Sequence, residues 1–207
     1  LGKQNKGIGW VLAFEDCPIN KDFFEAAFAK AKAKRSAYYG SEETDAFRIV
    51  NGEGDHLGGL TIDLYREFAV FSWYNETLYQ NKSLLIQAFQ QVFPEVKGAV
   101  EKIRFDSDLP ESAAVYGEEA PEPLIVKENG VHYATYLNEG LMTGIFLDQK
   151  EVRGQLAEGL SAGMTVLNMF SYTGAFSVAA AMGGATKTTS VDLAKRSLEK
   201  TKEQFAI

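Results

Sequence analysis

The sequence predicts an α+β domain followed by the N-terminal part of an α/β, Rossmann-like domain, with the remnant of a small β unit at the N-terminus. Short strands separated by turn residues dominate residues 46–137, and strands alternate with helices after Gly140. The strands at 164–170 and 188–191 enclose a helix of small residues, which favours a parallel pair joined by a right-handed crossover. Two strands do not form a sheet covered on both faces, so we expect the chain to be part of a larger domain.

The N-terminal elements are predicted to be a strand and a long helix. Gly7 to Phe14 is typical of a strand. Asn20 is placed to cap a helix over roughly residues 21–38, because aromatic and alanine residues then recur at helical spacing. Gly40 lies beyond the end of this helix and is predicted to stop it.

The central part is predicted to be a β-meander followed by a helix and further strands. Turn residues at 51–55 and 66–67 separate the meander strands. The helix is capped by Asn75 and ended by Pro94. The acidic stretch 106–123 is predicted to be a long exposed connection. The predicted strands are 46–50, 60–65, 68–74, 99–105, 124–127 and 131–137.

The C-terminal part is predicted to alternate strands with helices. Apolar strands at 164–170 and 188–191 are each followed by a helix, and another helix precedes the first strand. This order is typical of an open sheet with parallel strands. The predicted helices are 151–160, 175–182 and 194–205.

The composition is that of a globular protein and excludes a protein that spans a membrane. Of the 207 residues, 45% are hydrophobic and 24% are charged. No apolar run reaches the ~18 residues that a membrane span needs. The chain has one cysteine, Cys17, and no secretion signal, so we expect a reducing, cytoplasmic location.

The net charge of −7 is unevenly distributed along the chain. Residues 1–40 hold 7 basic and 4 acidic side chains, residues 41–140 hold 7 and 18, and residues 141–207 hold 7 and 6. The basic N-terminal segment could contact phosphates, although a solvated helix face is the simpler interpretation. Its basic residues are Lys3, Lys6, Lys21, Lys30, Lys32, Lys34 and Arg35.

The most informative stretch for function is Val166–Ser177, a strand that enters a tight turn and then a helix. It lies at the carboxyl end of a parallel strand, where open α/β sheets bind ligands. It is not the dinucleotide fingerprint, because Gly174 is its only glycine and a pyrophosphate needs three. A nucleoside ligand without phosphates, such as S-adenosylmethionine, removes that requirement.

Asp192 supports a nucleoside site, because it ends the second strand 18 residues after Gly174. An acidic side chain there can accept hydrogen bonds from both ribose hydroxyls. The alternative is that Gly174 is a packing glycine and Asp192 caps the following helix. One glycine and one acid also do not distinguish adenosylmethionine from a nicotinamide cofactor.

Other candidate residues are predicted to be structural. His56 and His132 are too isolated to form a metal pair, and Cys17 is interpreted as a buried or inert thiol. The turn at 51–55 lacks the glutamate of a calcium loop. The aromatic residues Trp10, Trp73 and Tyr74 could stack on unpaired bases, but a core position is the favoured interpretation.

Four blocks in the same order resemble the RlmI-type large-subunit ribosomal RNA cytosine-5 methyltransferases. The blocks are Phe47–Asp55, Gly58–Asp63, Gly144–Lys150 and Asn168–Ser177. The resemblance implies three consecutive domains. Residues 1–39 would be the end of a PUA domain and its linking helix, residues 40–140 a central α+β domain, and residues 141–207 the N-terminal part of a class I methyltransferase domain.

The resemblance also implies a set of cofactor-binding residues. Gln149 and Lys150 would lie near the amino-acid end of S-adenosylmethionine, although the family more often has arginine at position 150. Asp148 could instead be a helix N-cap, and Arg153 could be a surface charge. The implied set is Phe146, Gln149, Lys150, Arg153, Asn168, Phe170, Tyr172, Thr173, Gly174, Asp192 and Leu193.

The implied function is S-adenosylmethionine-dependent methylation of a cytosine in 23S ribosomal RNA, with S-adenosylhomocysteine as the product. Cytosine C5 needs a cysteine thiolate that adds to C6. The thiol and the base-binding loop of the family would lie beyond residue 207, so no catalytic residue and no metal ligand is assigned here. The alternatives are a methyltransferase acting on an rRNA guanine or on a protein, and a non-catalytic RNA-binding module. A homodimer is also compatible with the sequence.

Overall fold

The computed structural model describes residues 2–3 and 9–207, with side chains from residue 11 onward. The chain divides into two compact units. The first unit comprises Leu1–Gly40, Phe47–Ala120 and Asn138–Leu141. The second unit comprises Ser41–Ala46, Pro121–Leu137 and Met142–Ile207.

The first unit contains a five-stranded mixed sheet with strand order β3-β4-β5-β6-β7. In this sheet β4 and β5 are antiparallel, β5 and β6 parallel, and β6 and β7 antiparallel. A separate antiparallel pair, β1 and β2, precedes it. The elements are β1 (Gly2–Lys3), β2 (Gly9–Trp10), α1 (Lys21–Lys34), β3 (Ala46–Asn51), β4 (Leu60–Tyr65), β5 (Phe68–Trp73), α2 (Glu76–Tyr79), α3 (Lys82–Val92), β6 (Gly98–Ile103) and β7 (Ser112–Gly117).

The core of the first unit forms where α1 and α3 bury their apolar faces. The side chain of Asn20 accepts a hydrogen bond from the Phe23 N–H at 3.0 Å, which confirms the predicted N-cap of α1. Phe28 of α1 is fully buried and meets Phe89 of α3 edge to face, with ring centroids 5.7 Å apart. Apolar burial on this scale stabilises both helices more than their intrinsic propensities do.

Asp55 connects the turn Gly52–Asp55 to the end of α1 through hydrogen bonds and ion pairs. Its two carboxylate oxygens accept hydrogen bonds from Arg35 at 2.7 and 2.6 Å, and Lys34 adds an ion pair at 2.9 Å. Burial alone would raise the pKa of Asp55, but the bonds from Arg35, from Lys34 and from the Asn51 N–H together lower it to about 2. This carboxylate is therefore a structural anion and not a calcium ligand.

The second unit contains an antiparallel hairpin and a β-α-β unit. Strands β10 and β11 are parallel, with Thr165 opposite Lys187 and Met169 opposite Val191, which confirms the predicted parallel pair. The Gln204 side chain joins the last helix to the hairpin through bonds with the N–H and the carbonyl of Ala134, at 2.8 and 2.9 Å. The elements are β8 (Leu124–Glu128), β9 (Val131–Thr135), α4 (Lys150–Gln155), β10 (Thr165–Met169), α5 (Ala175–Met182), β11 (Lys187–Val191) and α6 (Lys195–Gln204).

The structure differs from the predicted elements in five places. The single helix predicted between Asn75 and Pro94 is two helices, α2 and α3. The helix predicted over 151–160 is shorter, because α4 ends at Gln155 and a π-helical turn, Leu156–Leu160, follows it. Helix α1 ends at Lys34 instead of residue 38, because turns occupy residues 35–40. The predicted connection 106–123 is wrong in part, since it contains the edge strand β7, paired with β6. Of the strand predicted from Gly7 to Phe14, residues 9–10 form β2, residues 11–14 are not strand, and Gly7 and Ile8 lie outside the described residues.

The compact units also divide the chain differently from the predicted domain ranges. The hairpin β8–β9 is a separate two-stranded sheet and belongs to the second unit, whereas the predicted range 40–140 includes it in the central domain. The ranges 1–39, 40–140 and 141–207 stay predictions as domain boundaries. None of the helices in the described part of the chain is both long enough and apolar enough to cross a bilayer.

Candidate functional site

A pocket of about 240 Å³ lies at the carboxyl end of β10. Its wall is drawn from the segment 144–153, which includes the start of α4, and from residues 168–176, which form the end of β10, the following turn and the start of α5. The pocket therefore lies where the sequence predicted a ligand site, at the carboxyl end of the first parallel strand.

The turn between β10 and α5 has an unusual backbone. Phe170 and Tyr172 have φ angles of 56° and 50°, and Gly174 has a φ of 80°. A left-handed conformation is costly for bulky residues, and two of them within three positions indicate that the surrounding structure imposes the conformation. Such strain is concentrated at functional sites, so this turn is a candidate ligand clamp.

Asp192 joins this turn to the end of β11. One carboxylate oxygen accepts a hydrogen bond from the Tyr172 N–H at 2.8 Å, and the other accepts one from the Ala194 N–H at 2.9 Å. The bonds from Ala194 and Tyr172 hold the pKa of Asp192 below its ordinary value, so the side chain is an anion near neutral pH. The two parts of the predicted nucleoside site are thus in direct contact. The alternative that Asp192 caps α6 is wrong, because the N-cap position is Ala194 and no side chain provides a capping bond there.

Gly174 is required by packing as well as by its backbone. A Cβ atom at this position would lie 2.5 Å from Cγ2 of Thr201 on α6, much closer than two non-bonded carbon atoms can approach. This geometry supports the packing interpretation of Gly174.

Arg153 is buried and forms a bidentate ion pair with Glu128 of β8. Both N–H···O distances are 2.7 Å, and the two side chains are 2% and 1% exposed. Nη2 of Arg153 also donates to the Phe146 carbonyl at 2.7 Å. The alternative that Arg153 is a surface charge is therefore wrong. No hydrogen bond within the described residues uses its Nη1, and the side chain lines the pocket.

The segment before α4 is tied to the turn through Gly144. The Gly144 N–H donates to the Tyr172 hydroxyl at 2.9 Å, and the Thr173 hydroxyl donates to the Gly144 carbonyl. The rings of Phe146 and Tyr172 also lie with their centroids 5.4 Å apart. These contacts fix the position of the pocket wall opposite β10.

The charged and polar residues at the start of α4 are arranged differently from the prediction. Lys150 forms an ion pair with Glu151 at 2.7 Å and is not part of the pocket wall, whereas Gln149 is. Asp148 is exposed and does not cap α4, because the N-cap position is Gln149 and no side chain provides a capping bond there. The N-cap alternative for Asp148 is therefore wrong.

A polar network connects Asn168, which lines the pocket, to residues of α5 and β11 outside the pocket wall. Asn168 donates to the Ser177 hydroxyl at 3.1 Å, and Ser177 and Ser190 share a hydrogen bond at 2.7 Å. The network connects both strands to α5. It holds Asn168, a predicted site residue, in a fixed orientation.

Ser171 is a polar residue of the pocket wall that the sequence analysis did not assign. The residue is 6% exposed and is part of the pocket wall. Its hydroxyl is buried and has no hydrogen-bond partner within the described part of the chain. Nothing in a single sequence indicates this, because burial and missing partners are properties of the fold.

The predicted site residues fall into two groups. Asp192 and Leu193 follow β11 and lie beside the pocket wall instead of in it, and Leu193 is fully exposed. Lys150 and Gly174 also lie outside the wall. The structure brings the remaining seven together around the pocket, namely Phe146, Gln149, Arg153, Asn168, Phe170, Tyr172 and Thr173.

Several other candidates do not form a site. Cys17 is exposed and not buried, and no group of three possible metal ligands occurs within the described residues. Trp73 is fully buried, which confirms its predicted core position, but the same prediction is wrong for Tyr74, which is 38% exposed. The side chain of Trp10 lies outside the described residues. A larger groove of about 730 Å³ runs along α1, but its wall is mostly apolar and its Asp55 and Lys34 already bind each other.

The basic N-terminal segment is largely compensated by acidic partners. Lys21 pairs with Glu25, Lys32 with Glu95, and Lys34 and Arg35 with Asp55. Lys30 is exposed, whereas Lys6 and the side chain of Lys3 lie outside the described residues. Phosphate binding by this segment stays a prediction.

The family model and the similar proteins found by comparison are all described as methyltransferases. A family model described as S-adenosylmethionine-dependent methyltransferase matches residues 85–207. The protein YwbD of Bacillus subtilis, provisionally named a ribosomal RNA large subunit methyltransferase, is 48% identical over 100% of this chain and 53% of its own length. Ribosomal RNA large subunit methyltransferase I of Serratia proteamaculans is 34% identical over 93% of this chain and 49% of its own length.

Two solved structures cover the whole of this chain at 52% identity with a TM-score of 0.94. One is provisionally described as a SAM-dependent methyltransferase from Streptococcus mutans, of which the chain covers 54%. The other is provisionally described as a methyltransferase complexed with SAH, of which the chain covers 53%. The chain spans about half the length of the curated relatives it matches. From the family match over more than half of its residues, the chain belongs to the S-adenosylmethionine-dependent methyltransferase family.

Proposed function

We propose that this protein uses S-adenosylmethionine to methylate large-subunit ribosomal RNA, at C5 of a cytosine in 23S rRNA. The observation that carries the cofactor proposal is the hydrogen bond between Asp192 and the Tyr172 N–H, which joins the strained turn to the end of the neighbouring parallel strand. The rRNA proposal is supported by relatives that are named for this activity. The choice of cytosine C5 is supported by the resemblance in the four sequence blocks.

The chemistry of the site fits a nucleoside that carries an amino acid and no phosphates. Asp192 provides an ionised carboxylate that can accept hydrogen bonds from ribose hydroxyls. The pocket contains a buried hydroxyl without a partner and an arginine nitrogen without a partner within the described residues, and both can donate to a carboxylate. A relative that is 52% identical is described as complexed with SAH, the product of such a reaction.

Bound S-adenosylmethionine supplies an electrophilic methyl group on its sulfonium. The residues of this chain would bind the cofactor and orient it. Asp192 would hold the ribose, and the aromatic rings of Phe146 and Tyr172 would exclude water from one side of the pocket. Arg153 positions the Phe146 carbonyl and the start of α4 through its bond with Glu128. We assign no catalytic residue among the described side chains.

A transfer assay tests the proposed function. The intact protein is incubated with tritiated S-adenosylmethionine and 23S rRNA that lacks the modification, and the rRNA is then digested to nucleosides. The proposal expects label in 5-methylcytidine. Label in a guanosine derivative or in protein would identify another methyltransferase. The absence of both label and S-adenosylhomocysteine binding would identify an RNA-binding module without catalysis.

The role of Asp192 has its own test by calorimetry with S-adenosylhomocysteine. Asp192→Ala is expected to lose about 1–3 kcal/mol of binding free energy, the range for leaving a buried donor unpaired. Glu158→Ala, which removes an exposed carboxylate of the second unit, is the control and should bind like the wild type. Equal affinity of all three proteins would reject Asp192 as the ribose ligand.

Three further features belong to the proposal. They are a PUA-like unit within residues 1–39, which the resemblance implies, a cytoplasmic location, which an rRNA substrate supports, and a homodimer. The first predicts that rRNA binding weakens as salt rises, because phosphate contacts release counterions. A salt-independent affinity would reject phosphate contacts by the basic segment.

A further inference from the structure

The Ser171 hydroxyl is a buried polar group that the folded chain leaves without a partner. The backbone of Ser171 is fully used, since its N–H donates to the Val191 carbonyl at 3.0 Å and its carbonyl accepts from the Gly174 N–H at 2.8 Å. The hydroxyl itself has no partner among the described residues, although the residue is 6% exposed. A buried hydroxyl without a hydrogen bond destabilises the folded state, so its retention calls for an explanation.

Neighbouring hydroxyl groups are all satisfied, which makes Ser171 an exception within its own turn. The Tyr172 hydroxyl accepts from the Gly144 N–H, the Thr173 hydroxyl donates to the Gly144 carbonyl, and the Ser177 hydroxyl bonds with that of Ser190. Other buried hydroxyls without a partner, those of Tyr39, Thr61 and Tyr116, lie in the first unit. Within the described part of the second unit, the buried hydroxyl without a partner is therefore that of Ser171, a residue of the candidate site's wall.

We propose that the Ser171 hydroxyl is a cofactor-binding group that donates a hydrogen bond to the charged amino-acid end of the cofactor. This inference rests on the proposed function and adds a residue to the site. Ligand occupancy explains the missing partner, because a bound carboxylate oxygen would satisfy the hydroxyl that the free protein leaves unpaired. Arg153 and Gln149 share the same pocket wall and supply further donors to such a group.

The dimensions of the pocket assign the amino-acid end, and not the nucleoside, to Ser171. A volume of about 240 Å³ is below the roughly 300–1,000 Å³ of pockets that hold a whole drug-sized ligand. It therefore accommodates one part of the cofactor. The ribose is expected at Asp192, which lies outside the pocket wall and adjoins it through the Tyr172 N–H. The pocket with Ser171 then receives the opposite end.

Two ligands that differ only at this end test the inference in the intact protein. S-adenosylhomocysteine carries the amino-acid group, whereas 5′-methylthioadenosine has the same nucleoside and thioether sulfur without it. For Ser171→Ala we expect S-adenosylhomocysteine to bind at least tenfold more weakly and 5′-methylthioadenosine to bind within twofold of the wild type. Thr61→Val removes another unpartnered hydroxyl and should change neither affinity.

Stability without ligand separates a binding role from a structural one. Because Ser171→Ala removes a group that has no partner, its thermal midpoint in the absence of ligand should equal or exceed that of the wild type. A lower midpoint, an unchanged affinity for S-adenosylhomocysteine, or an equal loss for both ligands would overturn the inference. If the wild type binds S-adenosylhomocysteine and only the Ser171 result is negative, the proposed function stands. If the wild type does not bind it at all, the proposed function fails and the inference fails with it.

Discussion

Replacing Arg153 by methionine is expected to destabilise the protein strongly, because it leaves the charge of Glu128 buried without its partner. The two side chains are 2% and 1% exposed and share two hydrogen bonds of 2.7 Å. Methionine fills most of the space, so the unpaired carboxylate dominates the effect. Breaking a buried pair in this way costs about 3–5 kcal/mol. At roughly 2–4 °C per kcal/mol, the thermal midpoint would fall by about 6–20 °C.

Thermal and urea unfolding followed by circular dichroism measure this effect, and a double variant identifies its cause. Arg153→Met combined with Glu128→Gln should be more stable than Arg153→Met alone, because the second change removes the unpaired charge. Lys195→Met breaks an exposed ion pair of 3.8 Å and is the control, with an expected change below about 0.5 kcal/mol. The reasoning is refuted if Arg153→Met costs less than about 1 kcal/mol or if the double variant is no more stable than the single one.

Three further predictions concern the packing and electrostatics of both units. Gly163→Ala should lower the free energy of unfolding by about 1–2 kcal/mol, because alanine is strained in the left-handed backbone of a position that has open space around it. Gly174→Ala should cost at least about 1 kcal/mol more in urea unfolding, because its new Cβ overlaps α6, and equal costs would contradict this packing. Asp55 stabilises the fold above its unfolded pKa of 3.8 and loses this effect as the pH falls toward its folded value of about 2. Over this pH range the free energy of unfolding of the wild type should therefore fall by about 2 kcal/mol more than that of Asp55→Asn. Parallel pH profiles of the two proteins would reject this role of Asp55. Gln204→Leu should cost about 1–3 kcal/mol, because it leaves the N–H and carbonyl of Ala134 unpaired, and unchanged hydrogen exchange in β9 would argue against that.

Elements with a strong local pattern were predictable from the sequence. Helix α1 has a cap at Asn20 and an apolar stripe, and the parallel strands β10 and β11 are short apolar or β-branched runs beside a small-residue helix. Strand β7 was missed because it is an edge strand whose residues are all half-buried or exposed, without the alternation of a strand that has one buried face. Its pairing with β6 comes from tertiary contact, which propensity does not reveal.

The backbone layout of the site and seven residues of its wall were predictable, but its side-chain pairings were not. Strand order and chain direction place Asp192 near the turn after β10, and the hydrogen bond to Tyr172 agrees with that expectation. The pairing of Arg153 with Glu128 connects residues 25 positions apart on different elements, and one sequence contains no signal for it. The unpartnered hydroxyl of Ser171 likewise depends on which atoms surround it in the fold.

The central claim is that the strained turn after β10 and the acid after β11 together hold the cofactor. A crystal structure of the intact protein with S-adenosylhomocysteine tests it most directly. We predict both ribose hydroxyls within about 3 Å of the Asp192 carboxylate. The amino-acid end should lie in the pocket beside Ser171 and Arg153. A ligand bound elsewhere, or a ribose out of reach of Asp192 with the pocket empty, would contradict the claim.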